Sequence, residues 1–268
     1  MEHVQPVMKE KTTPAKVSLY LPVFFSHYWN MFAHSSKRHL VILWTLLSVL
    51  FAPLLAYSQN ENARSETVWE KEIQAFEISD KTNPPPQNAI LFIGSSSIKR
   101  WTTLAADFPN HKVINRGFGG SQISDSVVFV DRIVIPYHPR QIFFYAGSND
   151  INSGKTPEQV LADFKSFVGK VHAQLPETKI AFISIATSPS RWAQVEKVTE
   201  ANHLIENFCR KEKHLVFIDI FHPMLDLEGK PRPEIFVKDG LHMKPEGYRI
   251  WISIITPYLN EAVYQSPK

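Results

Sequence analysis

The chain has 268 residues, enough for one α/β domain with a sizeable core, and its single cysteine, Cys209, excludes an intramolecular disulfide and a thiolate zinc site. Its formal net charge of +3 equals that of residues 1–58 alone, which hold five Lys or Arg and two Glu, so the rest of the chain is formally neutral. This balance argues against nucleic acid as a partner.

The first predicted element is an export signal. Residues 40–57 carry no charge, follow the basic residues 37–39 directly and end at a small-residue cleavage site over 56–58. Translation from Met31 would give a signal of ordinary length. We therefore expect residues 1–58 to be an N-terminal extension plus signal peptide, and the protein to be periplasmic or secreted. The alternative is that residues 40–57 remain as an uncleaved membrane anchor.

The next segment, residues 59–88, is polar and charged and ends in three consecutive prolines at 84–86. Its pattern predicts a short polar helix over 66–76, followed by a proline-rich linker. The folded domain is then expected over 89–268.

Apolar runs of strand length alternate with helical patterns through this domain. The alternation predicts a parallel sheet of five strands with helices on both faces. The predicted strands cover 89–93, 112–115, 141–146, 179–185 and 215–220, and the predicted helices cover 121–134, 157–174, 191–212 and 245–262.

Polar residues follow three of the predicted strands, at the edge where an open parallel sheet has its ligand crevice. Ser96 follows the first strand and is either a nucleophile or a helix cap. Glycines within 117–120 follow the second and either let the backbone approach a ligand or form a plain turn. Asn149 follows the third and either offers its amide to an oxyanion or forms an Asx-turn.

The sharpest local signal is the spacing of Asp239 and His242 near the C-terminus. A carboxylate three residues before a histidine can reach Nδ1, fix the ring tautomer and stabilise the imidazolium. The alternative is that Asp239 caps a short turn and His242 is an exposed loop residue.

Together these segments resemble the SGNH (GDSL-like) hydrolase family, named for the Ser, Gly, Asn and His of its sequence blocks. The similarity runs from about residue 89 to about residue 259 and includes a tryptophan at Trp101 that is frequent in the family. The resemblance implies a flavodoxin-like three-layer α/β/α sandwich. It also implies the following roles: Ser96 as nucleophile, Asp239 and His242 as the rest of the triad, and the backbone amides of Ser96 and Gly120 with the Asn149 side chain as the oxyanion hole.

The first block departs from the family pattern, which usually has Asp where this chain has Ser95. Three consecutive serines result. Counting from Gly94 and from Trp101 selects Ser96 as the nucleophile, and leaves Ser95 and Ser97 as capping or supporting residues.

The implied function is a serine esterase or acylhydrolase, similar to the branch that contains platelet-activating-factor acetylhydrolase. Short acyl groups, such as acetyl on a carbohydrate, are the preferred substrate hypothesis, and no cofactor or metal is expected because no His, Asp or Glu cluster has ligand spacing. Trp101 and Trp192 either line a sugar or acyl pocket or pack in the structure. The alternative function is a catalytically inactive exported module that binds a glycan or lipid. The sequence does not indicate an oligomeric state.

Overall fold

Five short strands form one fully parallel sheet in the computed structural model, which describes residues 64–65 and 68–260. The strands are β1 (Ile90–Gly94), β2 (Val113–Gly117), β3 (Gln141–Tyr145), β4 (Lys179–Ile183) and β5 (Leu215–Ile218). Their order is β2-β1-β3-β4-β5, which is the flavodoxin-like order. The predicted five-stranded parallel sheet is confirmed, with each strand within two residues of its predicted bounds.

Helices cover both faces of this sheet and connect its strands. The helices are α1 (68–82), α2 (Ser96–Lys99), α3 (Leu104–Asp107), α4 (Ile123–Val128), α5 (Val130–Ile133), α6 (Ser148–Asn152), α7 (Pro157–His172), α8 (Val195–Cys209) and α9 (Pro245–Ile255). None of the helices in the described ranges is both long and apolar enough to cross a membrane. The predicted export signal at 40–57 and the alternative start at Met31 lie outside those ranges.

Three predicted helices differ from the observed ones at their ends or middle. The helix expected over 121–134 divides at Phe129, whose ψ of 7° interrupts the helical backbone between α4 and α5. The helix expected over 191–212 begins as a 3₁₀ turn that starts at Pro189 and becomes α8 only at Val195. In the last helix α9 ends at Ile255 and continues as a 3₁₀ turn over Thr256–Leu259, where Pro257 lacks the N–H that would continue the α-helical hydrogen bonds.

Two hydrophobic layers enclose the sheet, since alternate residues of a strand point to opposite faces. Leu91 and Ile93 belong to one layer and Ile90 and Phe92 to the other, and all four are completely buried. Phe92 stacks on the ring of Phe143 in the neighbouring strand at a centroid distance of 4.7 Å. Burial on both faces explains why the strands are continuous apolar runs, and it fixes the loops after the strands on a rigid support.

The helix α1 packs against this domain. It extends beyond the end predicted at residue 76, and its apolar side carries the completely buried Ile73 and Trp69, whose ring meets Phe118 edge-on at 5.7 Å. Ion pairs also join α1 to the domain: Glu70 and Glu77 with Arg132, Glu72 with Lys99, and Asp80 with Arg116. The helix therefore lies directly over the segment that follows β2.

Candidate active site

Ser96 lies at the carboxyl end of β1, beside β3. Gly94, the last residue of β1, has φ of +142°, and a Cβ there would lie 1.9 Å from the carbonyl oxygen of Tyr145. Only glycine fits this close approach, which lets the Ser95 amide donate to that carbonyl at 2.9 Å. The chain then turns into α2, whose first residue is the half-buried Ser96. This is the point where the strand order reverses, so the crevice lies above Ser96.

His242 reaches Ser96 from the loop that precedes α9. Its Nε2 lies 3.2 Å from Ser96 Oγ, and its Nδ1 lies 2.6 Å from Asp239 Oδ2. The histidine side chain is 16% exposed and the aspartate side chain 45% exposed. A serine hydroxyl, an imidazole and a carboxylate thus form one hydrogen-bonded chain across 146 positions of sequence.

Asp239 is held in place by its own turn. Its Oδ1 accepts hydrogen bonds from the amides of Leu241 at 2.8 Å and His242 at 2.9 Å, while Gly240 between them takes a φ of +62°. The hydrogen bond from the His242 ring, with those two amides, holds the pKa of Asp239 well below its ordinary value. The carboxylate therefore stays ionised, and it can orient the ring so that Nε2 is free to accept a proton.

Asn149 follows β3 and lies in the first turn of α6. Its Nδ2 donates to the carbonyl oxygen of Ser121 at 2.9 Å, and its Oδ1 accepts from Arg191 Nη2 at 2.9 Å. Arg191 Nη1 donates to Ser148 Oγ at 2.7 Å. The carboxamide is held at both ends, and it lines the same cavity as Ser96.

Gly120 lies in the loop after β2, with φ of +84°. A Cβ built there would meet the ring of Trp69 at 3.4 Å, so α1 covers this glycine directly. Its backbone lines an open cavity together with Ser96, Asn149 and His242. The structure therefore brings all of the residues expected for the triad and the oxyanion hole to one place.

A buried carboxylate links the loops that carry Gly120 and Asn149. Asp150 is completely buried, and its Oδ1 accepts from the amide of Ile123 at the start of α4 at 3.0 Å. Desolvation raises the pKa of Asp150 to about 7, although the ammonium of Lys155 lies 3.6 Å away and favours the ionised form. This link fixes α6 relative to α4.

Among the described residues, those around Ser96 line two cavities. The open one has a volume of about 750 Å³ and passes over Gly119 and Gly120 and past Lys99 and Arg100. The smaller one has a volume of about 30 Å³, and its polar lining includes Ser96, Asn149 and Arg191. Its apolar side is formed by the following residues: Tyr145, Met224, Phe236, Met243 and Trp251. The site thus offers unequal spaces to the two halves of a ligand.

The two tryptophans considered as pocket residues line neither cavity. Trp101 is 1% exposed and packs on Phe92 and Trp251, with its Nε1 donating to Asp107 at 2.7 Å. Trp192 is half-buried and its ring faces the Lys230 ammonium at 4.6 Å. Both tryptophans therefore pack against other side chains, which is the second of the two roles considered for them.

The neighbours of Ser96 differ in their contacts. Ser95 occupies the N-cap position of α2, but its side chain makes no capping hydrogen bond. The Ser97 carbonyl accepts a hydrogen bond from the Tyr248 hydroxyl at 2.9 Å. Of the three serines, Ser96 is the one that meets His242.

Sequence reasoning missed Arg191 and a second Asp-x-x-His turn. Arg191 was expected only as the first residue of a helix, and its partners lie on a distant loop, so no local motif marks it. The second turn, Asp219 and His222, has the same spacing as the predicted pair, and that repetition was visible in the sequence. In the described part of the chain, no group of three or more His, Cys, Asp or Glu side chains is placed to hold a metal ion.

Comparisons with solved structures found proteins that share the fold of this chain. A structure from Streptococcus pneumoniae, provisionally named a platelet activating factor, is 21% identical with a TM-score of 0.64, over 78% of this chain and 99% of that one. A GDSL-like lipase from Bacteroides thetaiotaomicron is 21% identical with a TM-score of 0.63, over 71% and 98%. An acetyl-xylooligosaccharide esterase from Geobacillus is 13% identical with a TM-score of 0.54, over 68% and 99%.

These structural similarities show the fold of the chain. A search of curated proteins found no match. The profile of the GDSL-like lipase/acylhydrolase family matches residues 92–250, which include Ser96, Gly120, Asn149, Asp239 and His242. The chain therefore belongs to the GDSL-like lipase/acylhydrolase family.

Proposed function

We propose that this protein is a serine esterase that hydrolyses carboxylic esters through an acyl-enzyme on Ser96. The observation that carries the proposal is the chain of contacts from Ser96 Oγ to His242 Nε2 at 3.2 Å and from His242 Nδ1 to Asp239 at 2.6 Å. A nucleophile, a base within hydrogen-bond reach and a third group that orients the base are the parts that this chemistry needs.

The reaction has two halves. His242 Nε2 accepts the proton of Ser96 as Oγ attacks the ester carbonyl, and Asp239 stabilises the imidazolium. The imidazolium then gives its proton to the departing alcohol, which leaves the acyl group on Ser96. In the second half His242 removes a proton from water, the water oxygen attacks the acyl carbon, and the acid and the free serine are regenerated.

The negative charge that develops on the carbonyl oxygen needs donors that are already in place. We assign this role to the backbone amides of Ser96 and Gly120 and to Asn149 Nδ2. The hydrogen bond from Asn149 to Ser121 supports the assignment because it holds the amide before a substrate arrives, and the Trp69 ring beside Gly120 covers the loop that carries the second donor.

The two cavities favour a short acyl group. A site for a single water needs at least about 10–15 Å³, so the smaller cavity of about 30 Å³ suits a group about the size of acetyl. The open cavity of about 750 Å³ lies within the range of small-molecule sites, roughly 300–1,000 Å³, and takes the alcohol part. We propose an acetylated alcohol, with acetylated carbohydrate as the preferred class; the fold shared with an acetyl-xylooligosaccharide esterase is consistent with it.

Covalent labelling tests the nucleophile. The folded protein should react once with a fluorophosphonate, at Ser96 in peptide mapping, and Ser96→Ala should lose both labelling and hydrolysis of p-nitrophenyl acetate. Ser95→Ala and Ser97→Ala are matched controls that keep a measurable rate. Labelling at Ser97, or full activity in Ser96→Ala, contradicts the assignment.

Chain length tests the acyl pocket. Across p-nitrophenyl acetate, butyrate and octanoate, we expect kcat/KM to be highest for acetate and to fall with each extension. A maximum at octanoate contradicts the proposed acyl preference without affecting the nucleophile. Binding of an acetylated oligosaccharide with neither turnover nor labelling would instead support the inactive binding module.

Export is proposed from residues 40–57, and membrane anchorage by them is its alternative. N-terminal sequencing of the protein from its native cells should begin at about Gln59 if the signal is cleaved. A membrane-bound protein that retains residues 40–57 supports the anchor.

A further inference from the structure

Arg191 contacts the proposed oxyanion donor from the side opposite its fixed carbonyl partner. Its two terminal nitrogens donate to Asn149 Oδ1 at 2.9 Å and to Ser148 Oγ at 2.7 Å. A carboxamide nitrogen carries two protons. One proton of Asn149 Nδ2 is used by the Ser121 carbonyl at 2.9 Å, which leaves one for a ligand.

These contacts define which way the Asn149 amide points. The oxygen must face the guanidinium, which can only donate, and the NH₂ group must face the Ser121 carbonyl, which can only accept. A flipped amide would place donors against donors and acceptors against acceptors. Arg191 therefore excludes the orientation in which Asn149 would present an oxygen to the developing oxyanion.

The charge of Arg191 also acts on the donor strength of the amide. A cation hydrogen-bonded to Oδ1 draws electron density from the nitrogen, and charge-assisted and linked hydrogen bonds are stronger than isolated neutral ones. Within the described residues no Asp or Glu forms an ion pair with Arg191, so no carboxylate there neutralises this charge. The guanidinium is half-buried, and desolvation lowers its pKa, which shows that water screens it only in part.

We propose that Arg191 is a positioning residue for the hydrolytic reaction, which acts through Asn149 by fixing its amide and strengthening its remaining N–H. The inference rests on the proposed function and adds a residue to it. If it is correct, the effect of removing Arg191 exists only while Asn149 is present. This dependence separates the role from general packing or from direct binding of a charged substrate.

A double-mutant cycle tests this dependence, with Arg191→Met, Asn149→Ala and the double variant on p-nitrophenyl acetate. We expect Arg191→Met to lower kcat roughly 10–100-fold with little change in KM, since it weakens a donor whose complete loss costs roughly 10²–10³-fold. In the Asn149→Ala background the same change should cost less than about 3-fold, because residues that act as a unit are not additive. Arg191→Lys, which keeps the charge, should recover part of the rate.

Arg210→Met is the matched control, an exposed arginine paired with Glu206 far from the site, and it should leave all parameters unchanged. If Arg191→Met does not fold, Ser148→Ala replaces it, since it removes the other anchor of the guanidinium and should show a smaller loss with the same dependence on Asn149. Equal losses in both backgrounds overturn the inference. The inference is also overturned if Arg191→Met loses activity on the anionic ester 4-acetoxybenzoate but not on the neutral ester 4-acetoxybenzamide.

The two proposals can fail separately. If the wild-type protein hydrolyses p-nitrophenyl acetate and is labelled at Ser96 but the cycle is additive, only the role of Arg191 is lost. If the wild-type protein neither reacts nor is labelled, the proposed function itself fails.

Discussion

The molecule contains two Asp-x-x-His turns that are nearly identical locally. In each, the aspartate Oδ2 lies 2.6 Å from the histidine Nδ1, for Asp219 with His222 and for Asp239 with His242. In each, the aspartate Oδ1 also accepts two backbone amides of the turn. Their surroundings differ, because the His222 side chain is 76% exposed and that of His242 only 16%.

Position in the sheet explains the difference. Asp219 follows β5 at the edge of the sheet, whereas Ser96 follows β1, three strands away. Strands are spaced by about 4.8 Å, so roughly 14 Å separates those strand ends. In the described part of the chain, no serine hydroxyl hydrogen-bonds to His222. The three-residue spacing thus produces a carboxylate–imidazole pair, and the fold decides which pair meets a nucleophile.

Replacing each histidine by alanine should give the largest difference in kcat between the two turns. His242→Ala should lower kcat by up to roughly 10⁶-fold on p-nitrophenyl acetate, since loss of the base costs about as much as loss of the whole triad. His222→Ala should retain the wild-type rate. Equal losses in the two variants, measured on protein with unchanged circular dichroism, would falsify the assignment of the base.

Replacing the two aspartates should give a difference in kcat in the same direction, but a smaller one. Asp239→Asn should lower kcat roughly 10³–10⁴-fold, because the ring loses both its tautomer control and the charge that stabilises the imidazolium. Asp219→Asn is the matched control in a turn of the same geometry. Steady-state kinetics of the two variants decide the matter, and a wild-type rate for Asp239→Asn would remove this carboxylate from the mechanism.

Asn149, the proposed oxyanion donor, sharpens the comparison, since of the two turns the one near Ser96 shares a cavity with it. Asn149→Ala should lower kcat roughly 10²–10³-fold while thermal unfolding stays close to that of the wild type. The neighbouring Asn152→Ala is the control. An unchanged kcat in Asn149→Ala contradicts the oxyanion role, and with it the premise for Arg191.

The smallest expected effect concerns acid stability. The pKa of Asp239 is lowered in the folded protein, so its contribution to stability is present above the unfolded value of about 3.9 and is lost as the pH falls towards the folded value. We expect wild-type Tm to exceed that of Asp239→Asn near pH 6 by at most about 2–4 °C, given the exposure of the pair. The difference should shrink between pH 4 and pH 2. A difference that grows on acidification contradicts the direction of the shift.

The sequence predicts the sheet and the edge at which the proposed site residues meet, because both depend on local patterns. Buried parallel strands such as Phe92 and its neighbours are continuous apolar runs, and the polar residues that follow them meet at one edge by topology. Arg191 could not be predicted, since its role depends on a contact with Asn149 across two loops. The break at Phe129 has no local breaker residue to mark it.

The helix α1 has an apolar face that its overall composition does not indicate. Its charged residues indicate a solvated segment, yet Trp69, Ile73 and Phe76 recur at the spacing of one helical face. That apolar face is the signal from which its packing against the domain could have been inferred.

The covering of Gly120 by Trp69 bears on how this protein can be shortened. The stretch matched by the family profile begins at residue 92, whereas the packing around Gly120 draws on residues well upstream of it. A fragment cut at the first strand would keep every reactive group and yet uncover the aromatic ring of Phe118 and free the loop beside it. Truncation for expression or domain transfer therefore has to keep α1, which begins at residue 68 and carries Trp69.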